Sequence, residues 1–501
     1  MRCYGRKQNQ GDMSGNKSED DDIEMITEWP ITDSQLEIKS EQKPTKHKVH
    51  HVGSENLTKR SKYDKKESLA NTALAKWWRH HQFKLENADV VQGCNPNTLI
   101  KMLSRLLPAR EFMTEEIGRL QNKLRACLPT GDVHAALGTF QERIGNVEKA
   151  AYHLQEAVKL EPEEKEYKWL LQKTKKVLRV KQVQQENLHR IKKGATFPLS
   201  TQVTKISAKD LTVKDFICKY ESTGTPVIIT DQKVTTVPWS MDHVKEKAGN
   251  CSVTLKKPVK QSVEWARLEN SKTVSVESYI NSVQQETLDE PLYLFDWSLP
   301  INCQSLAKEV IMPKYFAGDF LKRTSDGSLY KDSWPSLFVA PAGITSELHV
   351  DAFGSNFWMA LFQGKKRWLF FPKSDVPYLY PEYEHSLDPV FEVDLSEPDL
   401  DKHPLVHLVS PIECILEPGQ VLFVPAGCPH RVENLEPSLA ISSNFVDQSN
   451  FLEVKNELEV NALLDVRSED LLHQFAGINF NDRIDFDIED QMLSELEKYI
   501  I

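Results

Sequence analysis

The chain has 501 residues and a formal net charge of −11. That length accommodates two or three domains, and the acidic balance argues against a general nucleic-acid binder. The opening MRCYGRKQNQ has no apolar core of the kind a secretory signal needs, and no apolar run reaches membrane-spanning length. The cysteines are scattered, with no Cys-x-x-Cys pair. This predicts the reduced thiols of a cytoplasmic or nuclear protein and no zinc module.

Residues 1–70 are rich in Lys, Glu, Asp, Ser and Gln and read as a disordered tail. Its basic run from Lys59 reads as solvated chain, with a nuclear signal as the alternative. Residues 71–195 read as a helical domain. Leu99, Met102, Leu103 and Leu106 have helical spacing, as do Met113, Ile117, Leu120 and Leu124, with Pro108 and Pro129 as breaks. One stretch then fits the tetratricopeptide pattern of roughly 34 residues. Leu137 and Gly138 fall in its first helix, Gly145 in the turn, Ala150, Leu154 and Ala157 in the second helix, and Pro162 after it. An ordinary helical hairpin fits the same residues. A basic helical stretch from Lys165 to Lys193 follows, with Trp169, Leu170, Val177 and Leu178 as its apolar members.

Residues 196–450 read as a separate β-rich domain. Leu211–Tyr220 predicts a helix, and Pro226–Thr230 and Pro291–Asp296 predict strands. Trp239 and Trp265 are expected in the core. Ser336–Pro372 reads as four short strands carrying a His-x-Asp pair, His349 and Asp351. Alternation in an extended strand turns both side chains to one face. The pair alone is weak evidence. A distant strand after the Glu417–Gln420 turn ends at Pro425, and His430 opens the next strand. Two histidines and a carboxylate on one side of a metal form the facial triad of non-haem iron oxygenases. In KKRWLFF, Lys366 shares parity with Trp368 and Phe370, so an inward Trp368 implies a buried Lys366 in need of an anionic partner. Lys365 and Arg367 fall on the opposite face.

The motifs TGTPVIITD, PLYLFD, LHVDAFGSNFW, QGKKRWLFFP and PGQVLFVPAGCPHRV, in that order between Pro198 and Phe451, resemble the Jumonji C-domain (cupin-type) Fe(II)/2-oxoglutarate-dependent oxygenases. The motifs are most similar to the lysyl hydroxylase/phosphatidylserine-receptor-like branch. The resemblance implies an α+β multidomain chain whose catalytic domain is a double-stranded β-helix, a cupin jelly roll. It implies Fe(II) on His349, Asp351 and His430, with 2-oxoglutarate and O2 as co-substrates. Lys366, Tyr293 and Ser346 match residues that hold the distal carboxylate of 2-oxoglutarate, and Ser442 and Asn444 match polar positions of the pocket. One position departs: Met359 stands where the branch carries an asparagine near the co-substrate, and Asn356 has the wrong parity to replace it.

The implied activity is hydroxylation of a protein side chain, with an RNA-linked substrate less favoured. Histone or arginine demethylation by the same chemistry is one alternative. A non-catalytic adaptor with a relic cupin fold is another. The helical region is expected to bind a partner or recruit substrate. His385, His403 and His407, in the Pro- and acid-rich insertion, are assigned to loops without a role. Residues 451–501 read as acidic helices. Leu463 and Leu464 suggest a homodimer there, and no membrane association is expected.

Overall fold

The structure, a computed structural model, describes Ala73 and residues 107–478 except 261, 263, 326, 327, 329, 384 and 385. The expected disordered tail, the positions Leu99 to Leu106, His385 and the chain after Ile478 lie outside the described residues.

Four helices come first: α1 (Leu107–Ala126), α2 (Gly131–Arg143), α3 (Val147–Leu160) and α4 (Lys165–Asn187). Pro108 lies in the first turn of α1, where its missing amide costs nothing. Met113, Ile117 and Leu120 of α1 pack on Val133, Leu137 and Phe140 of α2. The α2–α3 turn places Gly145 at φ +96°, a left-handed conformation that favours glycine. Above it, Ala150, Leu154 and Ala157 of α3 are fully buried. Gly138 lies so close to this face that a Cβ on it would fall 2.5 Å from Leu154 Cγ. Tyr167 and Leu171 of α4 close the far side of the hairpin.

The strands are β1 (Thr201–Gln202), β2 (Thr204–Ser207), β3 (Val227–Thr230), β4 (Ser252–Pro258), β5 (Leu268–Ser275), β6 (Leu294–Ser298), β7 (Ser336–Ala340) and β8 (Thr345–His349). They continue as β9 (Asn356–Gln363), β10 (Lys366–Phe370), β11 (Pro381–Glu382), β12 (Val390–Phe391), β13 (Ile412–Leu416), β14 (Val421–Val424), β15 (His430–Asn434) and β16 (Ser438–Phe445). Two sheets build the barrel, in the orders β1-β13-β10-β15-β8 and β2-β3-β14-β9-β16-β7-β6. Pairing is antiparallel except where β1 meets β13 and β2 meets β3. The non-consecutive orders are those of a jelly roll. Val203, between β1 and β2, is buried in the interior as the chain passes from one sheet to the other.

Alternation sorts the apolar residues. Phe357, Met359 and Leu361 of β9 face the barrel interior with Trp368 and Phe370 of β10. Trp358 and Ala360 face outward into a second cluster, with residues of α5 (Met241–Ala248) and α6 (Val276–Gln284). α7 (Phe451–Asn461) and α8 (Val466–Phe475) pack on Phe320 and Phe353 at one end of the barrel.

The helices are tied to the barrel side of the molecule. Lys176 Nζ of α4 donates to Glu457 Oε1 of α7 at 2.7 Å, and Gln184 Nε2 donates to the Pro377 carbonyl at 2.8 Å. Leu463 and Leu464, expected as exposed dimer contacts, are half-buried in the turn between α7 and α8. Exposed apolar side chains on these two helices are instead Leu452 and Val466.

The Gly138 contact makes a testable case. Alanine is the better helix former by about 1 kcal/mol, yet Gly138→Ala is expected to destabilise the helical region by about 1–3 kcal/mol through overpacking on Leu154. Gly118→Ala in α1, where a Cβ meets nothing within 4 Å, is the control and should be neutral or stabilising. Urea unfolding followed by circular dichroism reads both changes.

Candidate metal centre and its cavity

The register of three strands builds the centre. In the β8–β15 pair His349 stands opposite His430, and in the β10–β15 pair His430 stands opposite Phe370. The two imidazoles lie 4.2 Å apart between ring centroids. β8 ends at His349, and Asp351 follows in extended conformation, with its carboxylate on the same side. One potential ligand atom from each of His349, Asp351 and His430 lies within 4.8 Å of the others, and all three residues are buried.

Their hydrogen bonds fix which atoms remain for a ligand. His349 Nδ1 contacts the Glu347 carbonyl at 2.6 Å, and His430 Nδ1 contacts the Cys428 carbonyl at 3.0 Å. A carbonyl only accepts, so each Nδ1 carries the proton and each Nε2 keeps a lone pair. Burial holds the His349 imidazolium well below its usual range and pulls His430 down to about 4, so both rings are neutral bases. Asp351 is pushed up to about 8 by burial, then by the charges of Asp296 and Asp388, against a hydrogen bond from Asn444. Two neutral imidazoles beside a carboxylate whose charge lacks compensation are the donor set a divalent cation requires. The residues therefore fit the implied iron.

The cavity around this centre has a volume of about 660 Å3, within the usual range for small-molecule sites of roughly 300–1,000 Å3. Lys366 lies deep in the barrel and is fully buried. Its Nζ donates to Tyr293 Oη at 3.1 Å and to Asn434 Oδ1 at 2.6 Å. Both partners are neutral, and burial pulls the ammonium down to about 7. Lys365 and Arg367 point the other way, into exposed pairs with Glu436 and Glu413.

The remaining predicted positions divide. Ser346 is buried and lines the cavity with His349. Ser442 Oγ is buried without a hydrogen-bond partner among the described residues, as is the Trp368 indole N–H. Asn444 is placed at the metal end: it bonds Asp351, and its Nδ2 donates to Ser355 Oγ at 2.8 Å. Met359 faces the cavity, whereas Asn356 is turned away, donating to Ser449 and accepting from the Ala426 amide.

Two residues were missed in the sequence. As expected, Trp239 packs in the outer core; Trp265 packs half-buried against the interior cluster, but it also has a place at the metal centre that the core assignment omitted. Its ring lies 4.4 Å from that of His349, edge to face, and its Nε1 donates to the Val350 carbonyl at 2.8 Å. It thus braces the segment between two candidate ligands. Asn434 accepts from Lys366 and from Ser438 Oγ while its Nδ2 donates to the Ile344 carbonyl. Its position opposite Lys366, four residues along β15 from His430, was the available signal.

Comparison with known proteins agrees with this architecture. Residues 213–451 match the model of the cupin-like domain, and this stretch is a cupin-like domain. Among characterised proteins, the chain is similar to the bifunctional arginine demethylase and lysyl-hydroxylase psr-1 of Caenorhabditis elegans, 26% identical over 262 residues. That alignment covers 50% of this chain and 62% of psr-1. The chain is also similar to the arginine-specific demethylase JMJ20 of Arabidopsis thaliana, 29% identical over 275 residues, covering 49% of this chain and 57% of that protein. The 2-oxoglutarate and iron-dependent oxygenase JMJD4 of Mus musculus is 35% identical over 162 residues, covering 31% and 36%. The chain thus spans between about a third and three-fifths of the length of these relatives.

The donor set predicts that a divalent transition ion binds the full chain and that His349→Ala abolishes this binding while the circular dichroism spectrum is kept. Ion at 100 times its Kd should stabilise the unsubstituted protein by about 2.7 kcal/mol. An equal gain in melting temperature for His349→Ala, read by differential scanning fluorimetry, would count against this centre.

Proposed function

We propose that this protein is an Fe(II)/2-oxoglutarate-dependent oxygenase that hydroxylates a basic side chain of a protein substrate. The observation that carries the reading is the pairing, in one barrel, of a buried His-Asp-His cluster with a buried lysine that has no counter-anion among the described residues. The names of the relatives support it. His349, Asp351 and His430 hold the iron. Asn444 orients Asp351, and Trp265 braces His349. Lys366, with Tyr293 and Ser346, receives the distal carboxylate of 2-oxoglutarate, while Asn434 aims the ammonium. Ser442 offers its unpaired hydroxyl to the same ligand. When bound, iron, 2-oxoglutarate and O2 supply the oxidising power that converts a substrate C–H into C–OH, with succinate and CO2 as the other products.

The choice of a basic side chain follows from the cavity wall, where Glu264, Glu269, Asp296, Asp388 and Asp465 accompany Asp351 and outnumber Lys256. Such a wall attracts a cation and repels the phosphates of an RNA-linked substrate. Arginine demethylation is the second reading, favoured by the relatives named as arginine-specific demethylases. It differs by the release of formaldehyde. The adaptor reading requires the cluster to bind no metal. Among the described residues no helix is long and apolar enough to cross a membrane, and we place the chain in cytoplasm or nucleus. The α2–α3 hairpin serves as a tetratricopeptide-like unit for a protein partner. Homodimerisation through the terminal helices would use Leu452 and Val466 rather than Leu463 and Leu464.

Lys366→Ala tests the reading. Removing one member of a buried ion pair costs about 3–5 kcal/mol, so 2-oxoglutarate should bind roughly 100- to 4000-fold more weakly. Metal affinity should hardly change. Lys365→Ala should stay within about 0.5 kcal/mol of the parent. Equal affinities of the two variants in anaerobic calorimetry would refute the assignment of Lys366.

The same lysine predicts a pH dependence. Its pKa of about 7 in the free protein must rise when a carboxylate binds beside it. Below pH 7 it is already charged, and affinity is insensitive to this group. Above pH 7 binding takes up a proton, so affinity falls as pH rises, by at most about tenfold per pH unit. Titrations at pH 8 in buffers of different ionisation enthalpy should reveal the uptake, and Lys366→Ala should abolish it.

A further inference from the structure

Helix α4 has two buried faces, and only one of them belongs to the helical core. Tyr167 and Leu171, one turn apart, pack against α2 and α3. Trp169 lies two residues from each, roughly 200° round the helix. It is 5% exposed, lies outside both apolar clusters of the helices, and lines the cavity that holds His349, Asp351 and His430. On the same face seven residues later, Lys176 Nζ bonds Glu457 of α7 and the carbonyl of Leu387 at 3.4 Å. The residue after Leu387 is Asp388, a carboxylate of the same cavity wall. One helix face thus supplies an aromatic wall and fastens the loop that supplies an acidic one.

We infer that α4 forms part of the substrate-binding wall, with Trp169 as a specificity-determining residue and Lys176 as a positioning residue for the Asp388 loop. The inference rests on the oxygenase reading and adds which part of the chain selects the substrate. An indole face beside a carboxylate accommodates a cationic head and the stem that carries it. In this arrangement the helical region is an integral part of the active site and cannot be removed from it as a separate recruiting module.

The test uses the full chain loaded with Mn(II) in place of iron and with 2-oxoglutarate. Loading is measured first. Nα-acetyl-lysinamide and Nα-acetyl-argininamide are then titrated in, with binding read by paramagnetic broadening of the probe's NMR signals. At least one probe should bind. Trp169→Ala and Trp169→Leu should weaken it by about three- to thirtyfold, the range expected for loss of a cation–aromatic contact. Trp169→Phe should stay within about threefold, and Lys175→Ala, exposed on α4, should not differ from the parent. Manganese and 2-oxoglutarate binding by the Trp169 variants shows that their fold stands, and Trp169→Leu decides if Trp169→Ala does not fold. Unchanged probe binding in Trp169→Leu overturns the inference, as does a loaded parent protein that binds neither probe. A parent protein that fails to load sinks the oxygenase reading itself, before any probe is added.

Discussion

The register of β15 is the constraint on which the rest of the site depends. One end of this strand sets His430 opposite His349, and the other end sets Asn434 opposite Lys366. The two ends are four residues apart, roughly 13 Å. They share parity, so one strand sets His430 beside the other candidate metal ligands and Asn434 beside Lys366 on one face. A slip of one residue would turn both outward and carry Arg431 and Glu433 into the barrel. The sequence resists that slip. Val432, between the two ends in parity, packs in the interior, while Arg431 pairs with Glu347 and Glu433 outside. The same alternation that buries the apolar core therefore aims the polar groups.

This explains why so much of the barrel could be read in advance. Wherever a strand has one wet and one dry face, parity alone assigns each residue, as for Lys365, Lys366 and Arg367. β8 and the strand opened by His430 follow the same rule, whereas β7 and β9 are buried on both faces and parity there only divides residues between two apolar clusters. Trp265 and Asn434 eluded it for different reasons. Trp265 sits in a short turn where two successive residues, Ala266 and Arg267, have positive φ, so no periodicity predicts its direction. Asn434 gains its role from a cross-strand partner 68 residues away, and only the pairing register reveals that. The departure at Met359 is a third kind of case. The side chain points into the cavity as parity predicts, but the hydrogen bond an asparagine would make there has no substitute from Asn356, which is committed to Ser449 and Ala426.

The helical region shows a limit of pattern reading of another kind. Small residues at Gly138, Ala150 and Ala157 announce a close helix pair, and the structure contains one. A helix with a second buried face is harder to recognise, because Trp169 and Lys176 look like an ordinary amphipathic remainder. The partners of Lys176, Leu387 and Glu457, are more than two hundred residues away. A separately folding unit would leave Trp169 and the stem of Lys176 in water. The contacts along α4 therefore bear on the cavity as well as on stability.

Lys366 is a buried cation whose protonation is coupled to the stability of the fold. Burial lowers its pKa from 10.5 to about 7, so between these values the unfolded chain holds a proton that the native state lacks. Stability from this group thus rises with pH across that window, and below pH 7 the fold carries the full penalty of an uncompensated ammonium. Tyr293 and Asn434 satisfy two of its donors but supply no charge. An apolar residue of similar volume would remove the penalty. The carboxylate proposed to bind beside Lys366 would offset part of this penalty.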